Sequence, residues 1–195
     1  MTPNLLTILR IILTPLFIIL LFSAYSSARF WALVVFVIAA VTDAYDGHLA
    51  RKYNQVTEEG KFLDPLADKI LVLSAFISFA VMEIIDYWMV GLIIFRDLFV
   101  TGLRFAMASK GLEMVTSGLA KLKTGFQITI IIITLIFLGL QGLAWAWAMP
   151  ILAIIDQYRL IYVLTFMVTL FTIYTGVNYL HRNRPVIQKF LSKSA

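Results

Sequence analysis

Residues 124–155 contain no charged side chain. An α-helix crosses the apolar part of a bilayer with ~20 residues, so this stretch alone exceeds what a soluble core helix requires. The rest of the chain has the same character: 195 residues, 61% hydrophobic and 14% charged, with a mean hydropathy of +0.91. The expectation is an all-α integral membrane bundle, a single domain over residues 1–195, with about six transmembrane helices. Cysteine is absent, which excludes disulfides and thiolate chemistry. The net charge of +5 matters less than where the charges fall, and no nucleic-acid partner is expected.

Two of the spans are too short by themselves. Residues 30–42 and 70–82 are uncharged, but each run is followed or preceded by aspartates: Asp43 and Asp46 after the first, Asp64 and Asp68 before the second. Each helix crosses only by taking its carboxylates into its end turns. Carboxylates inside membrane helices are costly and are kept for function. Two helices admitting them at one depth predict a shared site. Oxygen ligands of this kind suit a hard divalent cation, Mg2+ or Mn2+.

The spacing supports a common face. At 100° per residue, Asp43, Asp46, Gly47, Ala50 and Arg51 fall within a sector of about 140°. Asp64 and Asp68 are four apart, again on one face. Asp64-Pro65 reads as a helix start, with residues 52–63 as the connecting loop. Gly60 in that loop would let a ligand approach the backbone.

Other polar residues interrupt the apolar spans. In the first span (4–23), Asn4, Thr7, Arg10 and Thr14 form a stripe turned toward the site, and Pro15 is a candidate kink. In the fourth (87–109), Asp97, Thr101 and Arg104 share a sector with Arg96 beside them, an excess of cation that asks for an anionic guest. Lys121 and Lys123 open the fifth span, an apolar outer loop follows, and the sixth runs over 159–180. His48 and His181 read as interfacial groups. Lys and Arg collect in the 52–63 and 109–123 connections and the tail, so the positive-inside rule places both termini and the aspartate-rich end in the cytoplasm. Trp31, Trp88, Trp145 and Trp147 fall at the opposite interface.

The pattern Asp43-x2-Asp46-Gly47-x2-Ala50-Arg51-x8-Gly60-x3-Asp64-x3-Asp68 resembles the signature of the CDP-alcohol phosphatidyltransferase family. The resemblance implies transfer of a phosphatidyl group from CDP-diacylglycerol to an alcohol with release of CMP. It assigns Asp43, Asp46, Asp64 and Asp68 to metal, two ions in number, and Asp68 additionally as the base. Gly47, Ala50, Arg51 and Gly60, with Asp43, Asp46, Asn4 and Thr7, would border the cytidine diphosphate.

Pro3-Asn4-x2-Thr7-x2-Arg10, Arg96-Asp97-x3-Thr101-x2-Arg104 and Lys121-x-Lys123-Thr124 resemble the branch whose acceptor is glycerol 3-phosphate. That likeness makes Arg10, Arg96, Arg104, Lys121, Lys123 and Thr124 candidates for the acceptor phosphate. Many relatives carry Glu at the position of Asp97, so its role is left open. The same likeness implies a homodimer in the bacterial-type inner membrane with the site facing the cytoplasm. Siblings with cardiolipin, inositol-phosphate or serine chemistry share the signature. A divalent-cation transporter is the alternative from another class.

Overall fold

The computed structural model describes the backbone of residues 3–53, 58–112, 114 and 118–192, and the side chains of residues 9–42, 69–112, 114, 118–119, 121–188 and 190. All regular structure among them is helical. The elements are α1 (Pro3–Leu21), α2 (Ala28–Tyr53), α3 (Glu58–Val81), α4 (Tyr87–Ala108), α5 (Gly118–Leu143), α6 (Met149–Gln157), α7 (Leu160–Arg182) and α8 (Arg184–Ser192).

Six long helices close into a ring. Going round it, α1 packs on α2, α2 on α5, α5 on α7, α7 on α4, α4 on α3 and α3 back on α1, while α3 and α5 also touch across the middle. α6 and α8 rest on α7. The core is aliphatic and aromatic: Phe17 meets Phe36 at 5.6 Å between ring centroids, and Phe76, Met89, Ile131 and Leu135 are buried. The outward faces are apolar as well, with Ile19, Phe95 and Val177 more than 60% exposed. A helix apolar on all sides belongs in a large core or a bilayer. The segments Lys121–Leu143 and Leu160–Arg182 are long and apolar enough to cross a membrane, and Leu9–Leu21, Ala28–Thr42 and Lys69–Val81 are shorter apolar helices.

The turns between α1 and α2, between α3 and α4, and around α6 gather at one end of the bundle, the far end. There Arg29, Glu83, Asp86, Gln141, Arg159 and Tyr162 border one cavity of about 640 Å³. The Tyr162 hydroxyl and the Trp88 indole N–H both donate to Asp86 Oδ2, at 2.7 and 2.9 Å. From Gln141 back to Lys123, the α5 axis runs about 27 Å at 1.5 Å per residue, close to the ~30 Å apolar thickness of a bilayer.

The observed helices differ from the sequence expectation in three places. The 52–63 loop shrinks, because α2 continues to Tyr53 and α3 already begins at Glu58. Asp64-Pro65 therefore stands inside α3 and does not start it. The apolar outer loop contains α6, started by Pro150 at a position that needs no backbone donor. The tail forms α8. Pro15 lies inside α1, as expected for a candidate kink.

Candidate functional site

The most unusual side chain of the interior is Asp97, 3% exposed near the middle of α4. A buried carboxylate is expensive unless it is paired and its oxygens are satisfied. Lys123 from α5 contacts both carboxylate oxygens. The neighbouring Arg96 reaches Oδ1 through Nη1 at 3.3 Å. Lys69 from α3 lies 3.8 Å from Oδ2 and donates to the Asp97 backbone carbonyl at 3.3 Å. The Thr101 hydroxyl donates to that carbonyl as well, at 2.7 Å. Three helices thus meet on one acid.

Arg96 also fastens the fourth wall. Its Nη2 donates to Thr175 Oγ1 on α7 at 3.4 Å, and its stem lies against Gly176. A Cβ at Gly176 would come within 2.9 Å of Arg96 Cγ, so the glycine gives the guanidinium its passage along α7. Thr175 in turn donates to the Thr172 carbonyl at 2.9 Å, which leaves its oxygen turned to accept from Arg96.

Charge decides what this cluster can do. Arg96 and Lys123 together carry one positive charge more than Asp97 returns, with side chains only 11% and 3% exposed. A desolvated cationic excess beside a planar donor fork is suited to a phosphate or carboxylate guest.

Of the residues predicted for the acceptor phosphate, Arg96 and Lys123 come together here. Arg104, Lys121 and Thr124 are exposed and lie outside the Asp97 cluster. Arg10 is buried on α1, its carbonyl accepting from the Thr14 hydroxyl at 2.9 Å; α1 packs on both α2 and α3. The side chains of Asn4, Thr7, Asp43, Asp46, Ala50, Arg51, Asp64 and Asp68, and the surroundings of Gly47 and Gly60, lie outside the described residues, although their backbones belong to α1, α2 and α3. Among the described residues no group of three or more His, Asp or Glu could hold a metal ion.

Lys69, Thr175 and Gly176 were not among the predicted site residues. A signal existed for the last two. Thr165, Thr169, Thr172, Thr175, Gly176 and Tyr179 are buried along one face of α7, a polar stripe at helical spacing in an otherwise apolar span.

Comparison with known proteins shows the family. Residues 1–155 match the family model for CDP-alcohol phosphatidyltransferase. A "Probable phosphatidylglycerophosphate synthase" of Mycobacterium tuberculosis is 37% identical over 182 residues, 92% of this chain and 79% of the relative. A "CDP-diacylglycerol--glycerol-3-phosphate 3-phosphatidyltransferase" of Bacillus subtilis is 41% identical over 138 residues, 65% of this chain and 72% of the relative. A protein of the same name from Rickettsia typhi is 39% identical over 164 residues, 80% of this chain and 92% of the relative. With the aspartate signature in its sequence and these matches over most of its length, the chain belongs to the CDP-alcohol phosphatidyltransferase family.

Proposed function

We propose that the protein transfers the phosphatidyl group of CDP-diacylglycerol to the 1-hydroxyl of sn-glycerol 3-phosphate, giving phosphatidylglycerol phosphate and CMP. The observation that carries the acceptor assignment is the buried pairing of Arg96 and Lys123 with a single carboxylate. It leaves a cationic excess suited to the acceptor's dianionic phosphate, and the ammonium group of an amino acid would be repelled there. The names of the relatives point to the same acceptor.

The donor set of Asp43, Asp46, Asp64 and Asp68, all oxygen and with no cysteine in the chain, fits hard divalent ions. When bound, two Mg2+ or Mn2+ ions supply neutralisation of the pyrophosphate and a lowered pKa of the acceptor hydroxyl. The chain's own residues do the rest. Gly47, Ala50, Arg51 and Gly60, with Asn4 and Thr7, border the cytidine diphosphate, and Arg51 offers it a cation. Arg96 and Lys123 hold the phosphate of the acceptor, assisted by Arg10 from α1 and by the exposed Arg104, Lys121 and Thr124. Asp68 takes the proton from the 1-hydroxyl. The hydroxyl oxygen bonds to the diacylglycerol-linked phosphorus as the bond from that phosphorus to the CMP oxygen breaks.

The six ring helices are the proposed spans, in a single domain over residues 1–195 that pairs as a homodimer. Both termini and the aspartate end face the cytoplasm of a bacterial-type inner membrane, as charge placement requires.

The test is release of CMP from CDP-diacylglycerol by purified protein, with and without glycerol 3-phosphate. Release that depends on glycerol 3-phosphate is expected. Equal release with serine, inositol phosphate or phosphatidylglycerol would overturn the acceptor assignment. Asp68→Asn should abolish turnover while CDP-diacylglycerol still binds, and normal turnover in that variant would remove the base assignment.

A further inference from the structure

Buried hydroxyls on membrane helices usually donate back to a carbonyl of their own helix. On α7, Thr165 and Thr169 do so at 2.8 and 2.9 Å, and Thr134 on α5 does so at 2.8 Å. Four buried polar atoms break this habit. Arg96 Nε, Gln127 Nε2, Thr172 Oγ1 and the Tyr179 hydroxyl have no hydrogen-bond partner among the described residues. Gln127, Thr172 and Tyr179 are all at most 1% exposed. Unmade hydrogen bonds at such depth destabilise a fold and call for an explanation.

Their placement gives one. Gln127 is four residues after Lys123, hence one turn along the same face of α5. Thr172, Thr175, Gly176 and Tyr179 stand at offsets 0, 3, 4 and 7 on α7, the face against which Arg96 lies. All four atoms therefore belong to the helix faces that surround the Arg96–Lys123 pair. Arg96 Nε and Gln127 Nε2 can only donate, and the two hydroxyls can donate. Their ligand must present several acceptor oxygens to a site that already has surplus positive charge. That is the description of a phosphate monoester.

We infer that Gln127 and Tyr179 form the neutral wall of the acceptor pocket and donate hydrogen bonds to the phosphate of glycerol 3-phosphate, with Thr172 completing the wall. This assigns specificity to α7, which lies beyond the part of the chain that matches the family model. It rests on the function proposed above.

Tyr179→Phe and Gln127→Met keep shape and remove the donor. Each should raise KM for glycerol 3-phosphate about tenfold, as expected for a lost hydrogen bond to a charged group, with KM for CDP-diacylglycerol unchanged. A second readout is independent of turnover. In detergent without ligand, Tyr179→Phe should unfold at the same or a higher temperature than the parent, because an unpaired buried hydroxyl has gone. The upward shift in unfolding temperature produced by glycerol 3-phosphate should shrink in both variants. If the parent protein responds to glycerol 3-phosphate and both variants respond equally well, the inference is wrong. If the parent itself shows neither the shift nor dependent CMP release, the acceptor reading beneath it fails too. A lower unfolding temperature with both KM values unchanged would mark these side chains as packing alone, and overturn the inference.

Discussion

At the scale of single residues, the interior is organised by one acid. Asp97 is 3% exposed, and in apolar surroundings it is tolerable only because Lys123, Arg96 and Lys69 supply charge from three helices. The converse holds as strongly: Arg96 and Lys123 are buried because Asp97 is there. Asp97→Ala should therefore cost about 3–5 kcal/mol, the range for removing one partner of a buried ion pair. Thermal unfolding in detergent would read it, with Asp97→Glu retaining most of the stability. An unaltered unfolding temperature in the alanine variant would mean that the cations find water or another acid. Arg96-Asp97 was visible in the sequence as a charged interruption of an apolar span. The partners were not, since nothing in the local pattern of α4 names Lys123 or Lys69.

At the scale of elements, close approach between helices is set by glycine. On α5, Gly139 and Gly142 are three apart and face the start of α2. A Cβ at Gly139 would lie 3.3 Å from Phe30 Cα, and one at Gly142 would lie 2.2 Å from the Ser26 carbonyl oxygen. Backbone cannot yield as a flexible side chain can. Small residues at the contact are the usual means of bringing membrane helices together. Gly142→Ala should destabilise the bundle by about 1–3 kcal/mol, the common cost of overpacking, measured by thermal unfolding, while Gly91→Ala, with open space around it, serves as the neutral control. Equal behaviour of the two would show that the α2–α5 contact adjusts freely. Helix existence was legible here from the apolar runs, but helix ends were less so. The chain between α2 and α3 reads as a loop over 52–63 because it is charged, yet α2 continues to Tyr53 and α3 begins at Glu58.

At the scale of the whole molecule, the ring of six helices puts polar chemistry at two ends and apolar side chains around the outside. The proposed orientation, argued from charge placement, is open to direct test, because the chain has no cysteine of its own. Tyr158→Cys at the far end, where the side chain is 63% exposed, should react in intact cells with a membrane-impermeant maleimide. Ser109→Cys, exposed at the opposite end after α4, should react only after permeabilisation. The reverse pattern would invert the proposed topology and put the aspartate end outside.

The sequence by itself determined what local chemistry can determine. Apolar runs of span length force helices, and the fixed spacing of four aspartates identifies the family. It also marked Arg96 as a cation inside an apolar span, and the resemblance added Lys123. Only the tertiary structure decided which of the marked cations meet. Arg104 shares a face with Asp97 by helical period, yet it is exposed, whereas Lys123, 26 residues away, contacts the carboxylate. Period fixes the face of a helix a residue occupies. Which helix that face meets is settled by the closure of the ring, where α7 packs on both α4 and α5 and brings Thr175 and Gly176 to Arg96, while Lys123 reaches from α5 to Asp97.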